Sequence, residues 1–334
     1  MKKTISLSLC LFMLIGIASV FAGGGGGDRA RRFDLTMAST YARASPPIVA
    51  AIRFADEVRA ATNGAVNINV FSDGVLGPER DLILQLAADE LEFAVVGVMP
   101  VDMFAPEFGF MTAPFLYRNM DHVRAIFASH LGDALRGRLL ENNINFLAEM
   151  WRGERHTISN IPIRNPDDVR GVRVRMTEVP SWIAVWRDGL GATTIPIALA
   201  EVYTALQTGV ADAKEGPYEQ HATFRFYEVQ RYLINTGHVM EFCGIYASQR
   251  ALDRLPREYY RILVQKGREI MTLWGTQLAY EQAEQFRQQL LRGGMTEINV
   301  NVPDFTARLM PTFEQFFADG TWTSSLSEIQ AFAR

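Results

Sequence analysis

Between residues 32 and 99 the chain switches its hydrophobic period repeatedly. RFDLTMAS (32–39) and AVNINVFS (65–72) place apolar side chains at every second position, the period of a strand with one buried face. Between them Pro46 and Pro47 open a stretch in which Ile48, Ile52, Ala55 and Val58 recur at helical spacing, and Gly64 closes it by supplying a left-handed backbone. GPERDLILQLAADE (77–90) predicts a second helix, with Glu79 as a first-turn acid that offsets the helix dipole. LEFAVVGVM (91–99) is a short unbroken apolar run, typical of a strand covered on both faces. This β-α-β-α-β order predicts a parallel sheet covered by helices, with any ligand lying beyond the carboxyl ends of the strands.

A second run of the same kind begins near Arg155. VRGVRVRMT (169–177) reads as a strand, PSWIAVWRDGL (180–190) as a helix, ATTIPI (192–197) as a strand and LAEVYTALQTG (199–209) as a helix closed by Gly209. In FLYRNMDHV (115–123), Asn119 or Asp121 is placed to cap a helix. YLINTGHVMEFCGIYAS (232–248) is an extended apolar stretch able to carry the chain back to the first half, with Asn235 to His238 a turn or a crossing strand. The tail from Pro256 to Leu291 holds no further proline, and its only glycines are Gly267 and Gly275, so one or two long helices are expected there. The expected fold is a two-lobed α/β clamshell, each lobe a mixed or parallel sheet covered by helices, with a long helix across both. Residues 31–153 with 242–282 would form the first lobe and 154–241 with 283–334 the second.

The start of the chain departs from this patterning. Lys2 and Lys3 precede an apolar run from Ile5 to Val20 and the small-residue exit Val20-Phe21-Ala22, the design of a secretory signal peptide over residues 1–22. Its apolar run falls short of the roughly 20 residues that span a bilayer, so a soluble periplasmic protein cut after Ala22 is expected. A lipid anchor at Cys10 is disfavoured by Leu9 before it. Residues 23–32 form a glycine-rich, polar leader. Without Lys2 and Lys3 there remain 31 basic against 37 acidic side chains, a net charge of −6 that argues against nucleic acid as a partner. Only Cys243 would survive processing, so no intrachain disulfide is possible.

EVYTALQTGVADAKEGPYEQ (201–220), with WRGER (151–155) and PDDVRGVRVRM (166–176) before it and GPERDLILQLAADELEFAVVG (77–97) upstream, resembles the substrate-binding component of tripartite ATP-independent periplasmic (TRAP) transporters, of the dicarboxylate-binding type. The resemblance runs from about Phe33 to Tyr246 and implies a clamshell that closes on a small organic acid and serves membrane subunits driven by an ion gradient. By that resemblance Arg175 would grip the ligand carboxylate with two prongs and Arg155 would supply a second contact, while Gly216 stands where the family carries asparagine and would leave more room. Independently, a guanidinium matches a carboxylate's two oxygens and stays charged when desolvated. Beside these stand Glu215, able to pair with an arginine or accept from a hydroxyl, Tyr218, with a hydroxyl for a ligand, and Trp151, which closes a predicted strand and offers either a face for a carbon skeleton or core packing. Tyr41, Arg43 and Met99 lie on loops expected to face the cleft. Arg170 and Arg173 read as surface charges.

No metal-binding histidine spacing, nucleophile elbow or phosphate loop is present, so neither enzyme nor cofactor is expected. A hydrolase or lyase built on a carboxylate pair, and a clamshell receptor for an ATP-driven importer or sensor kinase, are the competing readings. A monomer is expected of a receptor that opens and closes. The acid could be a sugar acid, a C4-dicarboxylate or a keto acid.

Overall fold

The computed structural model of the protein describes residues 31–333; the expected signal peptide and nearly all of the expected leader lie outside them. The first alternation folds as its periodicity dictates: β1 (Phe33–Ala38), α1 (Pro46–Ala61), β2 (Val66–Phe71), α2 (Glu79–Ala88) and β3 (Phe93–Val96). In α1, Ile48, Ala51, Phe54, Ala55 and Val58 are buried, and the helix ends where the Gly64 N–H reaches back to the Arg59 carbonyl at 2.8 Å with Gly64 at φ +79°. β1 pairs in parallel with both β2 and β3.

Two long strands organise everything else. β4 (Ile144–Ser159) crosses the whole molecule, as does its antiparallel partner β8 (Tyr232–Ser248); between them in sequence come β5 (Arg173–Met176), β6 (Thr193–Pro196) and β7 (Ala213–Pro217), and after β8 comes β9 (Thr296–Asn299). Among the described residues these nine strands form one sheet in the order β2-β1-β3-β8-β4-β7-β5-β6, with β9 on β8. One wing hangs β3 on the carboxyl-terminal half of β8, and the other hangs β7 on the carboxyl-terminal half of β4. Because both attachments are antiparallel, β1 to β3 run toward the second wing and β5 to β7 run toward the first. The carboxyl ends of both parallel sets therefore face the same gap. The ribbon changes register between Trp151 and Gly153, where Gly153 takes φ +93°, a backbone that other residues adopt only with strain.

Asn119 caps the helix Met120–Phe127 through His122 N, as expected. The tail is helical from Arg257 to Arg292, with a wider-wound stretch Gly267–Gly275 inside it. At Gly275 an added Cβ would meet Ala50 of α1 and Met150 of β4 at 3.0 and 3.1 Å, so the missing side chain lets the tail lie close on the sheet. One local reading changes: Trp151 stands in the middle of a strand rather than at its end. Asn235 to His238 take the second of their two expected forms, as part of the crossing strand β8. Beyond β9 the chain packs on residues of the first half: Thr323 N donates to the Glu107 carbonyl at 2.8 Å, and a His122 ring nitrogen contacts the Ile329 carbonyl at the same distance.

The crossing ribbon admits no bulk at Gly244, where a Cβ would fall 2.5 Å from the Ala148 carbonyl and 2.3 Å from the Phe146 ring, itself stacked on Tyr246. Gly244→Ala is expected to cost about 1–3 kcal/mol in urea unfolding through the forced shift of the strand; a wild-type midpoint would contradict this packing.

Candidate functional site

Where the two sets of strand ends meet, the loops after each strand line a cavity of about 510 Å3. The first wing contributes Thr40 after β1, Asp73 and Gly77 after β2, Glu79 at the start of α2 and Met99 after β3. From the second come Arg175 and Thr177 at the end of β5, Ile197 to Glu201 after β6, and Gln220 and Phe224 after β7. Parallel sheets put ligands at this end because turning the chain there leaves a crevice edged with backbone and loop side chains.

Arg175 dominates the floor. β5 has neighbours on both sides, so this side chain leaves an interior strand and is only 3 % exposed. Nε and Nη2 donate to the Ile197 carbonyl at 2.8 and 2.5 Å, and Nη1 donates to Thr177 Oγ1 at 3.2 Å. A guanidinium carries five N–H groups, so one on each terminal nitrogen has no protein acceptor among the described residues, and no carboxylate pairs with it. Burial pulls its pKa down to about 10, the sign of a cation held without an anion. On the opposite wall Glu79 accepts from Gly97 N at 3.0 Å, and desolvation raises its carboxyl above the ordinary value. It belongs to the cavity lining as well as to a first helical turn, a role its sequence setting did not reveal.

The arginines at the crossing are differently placed. Arg155 donates through Nε to Glu215 and through Nη1 to Glu241, and Nη2 reaches Glu215 Oε1 at 2.9 Å. Arg152 pairs with Glu219 and Glu241, and His238 lies 3.4 Å from Glu215. All of these side chains are buried. Arg155 holds Glu215 well below the usual carboxylate range despite burial, which pushes it the other way. The network ties β4, β7, β8 and the helix Tyr218–Thr223 together behind the cavity, so the donors of Arg155 and the carboxylate of Glu215 are already engaged.

Of the other candidates, Met99 lines the same cavity as Arg175, from the first wing. Gly216 stands behind it: a Cβ there would fall 2.8 Å from Lys214 Nζ and 2.7 Å from Gln220 Oε1, so the room left by the missing side chain is filled by that pair. Tyr41 is buried under the Arg152 guanidinium, 4.5 Å from its ring centroid, and Arg43 is exposed with its backbone N–H on Asp73. Trp151 packs edge-on against Phe127 and Phe242 and borders a separate open basin. Tyr218 stacks on His156 with centroids 4.1 Å apart, donates to Asn235 Oδ1 and lines a different, smaller cavity of about 200 Å3. Lys214 and Gln220 sit among charged and polar neighbours in ADAKEGPYEQ (211–220), and nothing local in the sequence sets them apart. Among the described residues no group of His, Cys, Asp and Glu is arranged to hold a metal ion.

A two-winged α/β protein with an anion-ready crevice between its wings has the build of a solute receptor. Residues 37–318 match the family model for bacterial extracellular solute-binding proteins, family 7, and the chain belongs to that family, the binding proteins of TRAP transporters. A Verminephrobacter eiseniae solute-binding protein is 32 % identical over 80 % of both chains. The 2,3-diketo-L-gulonate-binding periplasmic protein of Escherichia coli is 28 % identical over 76 % of both. In structure, a Bordetella TRAP periplasmic solute-binding protein whose density was assigned to pantoate superposes with a TM-score of 0.83 at 26 % identity, over 90 % of this chain and 99 % of that one. Family membership makes this a transport protein and not an enzyme.

The crossing network sets an acid limit. A carboxylate depressed in the fold contributes stability above its unfolded value of 4.5 and loses it as pH falls toward the folded value. Burial pushes His156 down to about 3 from 6.5, so stability also falls as pH drops below 6.5. Melting temperature is expected to decline from about pH 6.5 downward and more steeply below pH 4.5; a flat profile between pH 7 and pH 4 would refute the assignment. Glu215→Gln, which leaves Arg155 undercompensated, should cost about 3–5 kcal/mol in urea unfolding at pH 7.

Proposed function

We propose that the protein captures a small hydroxylated organic carboxylate in the cavity between its wings and delivers it, as a monomer in the periplasm, to TRAP membrane subunits. The observation that carries this reading is Arg175, a buried cation lining the cavity with spare donors and no carboxylate partner among the described residues. Leaving such a charge unpaired is unfavourable, so an incoming carboxylate replaces lost hydration with charge-assisted bonds at both oxygens. Glu79 and Thr177 stand ready for ligand hydroxyls, and Met99 and Ile197 for the carbon chain. The relatives named above, one for 2,3-diketo-L-gulonate and one with density assigned to pantoate, favour oxygen-rich acids with one carboxylate.

Closure follows from the same arrangement. The cavity takes its lining from both wings, so a ligand bridging them binds the closed form better than the open one, and that difference drives the wings together. The engaged arginines at the crossing keep the ribbon in register while the wings move about it.

Two measurements test the reading. The acid released from purified protein, identified by mass spectrometry and titrated back by calorimetry, should bind Arg175→Ala at least about a hundredfold more weakly, on the order of 3 kcal/mol, with the fold retained. Undiminished affinity would remove Arg175 from the site. The intact mass of protein recovered from the periplasm should correspond to a chain beginning at Gly23; a mass retaining residues 1–22 would overturn the export assignment.

A further inference from the structure

Lys214 and Gly216 share one face of β7, and Arg175 stands beside Lys214 in register on β5. Lys214 is fully buried, and its amine has no carboxylate partner among the described residues. Nζ donates to Gln220 Oε1 at 2.6 Å and lies 4.8 Å from the centroid of the Phe226 ring. The pair exists because residue 216 has no Cβ, which would otherwise fall within 2.8 Å of both polar atoms.

This contact fixes which way the Gln220 amide faces. As an ammonium, Lys214 has three N–H groups to donate and no lone pair with which to accept, and an aromatic ring is its other close neighbour. The amide oxygen is therefore turned to Lys214 and the NH2 away from it. Nε2 has no protein acceptor among the described residues, and Gln220 lines the same cavity as Arg175. A glutamine free to rotate offers a donor or an acceptor; one held by its oxygen offers donors alone.

We infer that Gln220 is a specificity-determining donor of this site, held in one orientation by Lys214, and that it selects acids bearing an acceptor oxygen along the carbon chain beyond the carboxylate. A hydroxyl, keto or second carboxylate oxygen meets that requirement, and a plain alkanoate does not. The inference rests on carboxylate capture by Arg175, and it differs from a packing role in predicting selectivity rather than affinity alone. Discrimination of this kind is strong because an apolar chain leaves the buried amide donor unpaired.

The test compares D-gluconate with hexanoate, which share a six-carbon chain and a carboxylate, by calorimetry on the full mature chain. Wild type is expected to prefer D-gluconate. Gln220→Leu should weaken D-gluconate about tenfold or more while changing hexanoate less than about twofold. Gln220→Glu keeps a partner for Lys214 and exchanges the donor for an anion, so it should show the same selective loss with an undiminished melting temperature. Lys214→Met frees the amide to rotate and should narrow the preference by a smaller factor. Equal losses for both acids, or no loss in Gln220→Leu, would overturn the inference. Undiminished D-gluconate binding by Arg175→Ala, or no binding of either acid by wild type at millimolar concentration, would instead sink carboxylate capture, and this inference with it.

Discussion

The antiparallel pairing of β4 with β8 along their whole length is the constraint from which the rest follows. Each strand serves both wings, and each wing attaches its parallel strands to the far half of one of them. Antiparallel attachment at both ends means that two sets of parallel strands must point at each other. A crevice edged by strand-end loops from both sides is the geometric outcome, whatever residues those loops carry. The buried network of Arg152, Arg155, Glu215, Glu219 and Glu241 joins this ribbon to β7 and the helix after it, each arginine lying against two glutamates.

Three buried arginines thus do two different jobs. Arg152 and Arg155 meet glutamates that the fold brings from β7, β8 and the helix after β7, so their charge is spent inside the protein. Among the described residues Arg175 meets only a backbone carbonyl and a hydroxyl, which accept hydrogen bonds without cancelling the charge. Opposite charge close by stabilises the ionised form, and burial without it does the reverse, which is why these guanidiniums shift in opposite directions. On the proposed function, a ligand anion would supply what the chain withholds at Arg175.

Much of the architecture was legible in one dimension. The strands and helices from Phe33 to Val96 and from Arg173 to Gln207 follow their hydrophobic periods, and Gly64 and Gly209 end helices with positive φ as local sterics require. Less legible was anything set by contact across the fold. Trp151 belongs to a core of Phe127 and Phe242, Tyr218 to a stack with His156, and Tyr41 to the underside of Arg152, because their neighbours come from elements distant in sequence. Glu79 was read by its position in a helix, yet its surroundings come from the loop after β3. In the sequence Gly216 offers space, and in the fold that space is occupied by Lys214 and Gln220.

By itself, then, the order of residues determined the alternating α/β elements, the parallel sense of their strands and the presence of arginines suited to a carboxylate, since periodicity, caps and side-chain chemistry are local properties. Which of those arginines remained unpaired, which acids they met, and which loops came to share one cavity were decided only when β4 and β8 brought the two wings together. Charge pairing depends on distance in space, and spacing along a chain does not encode it.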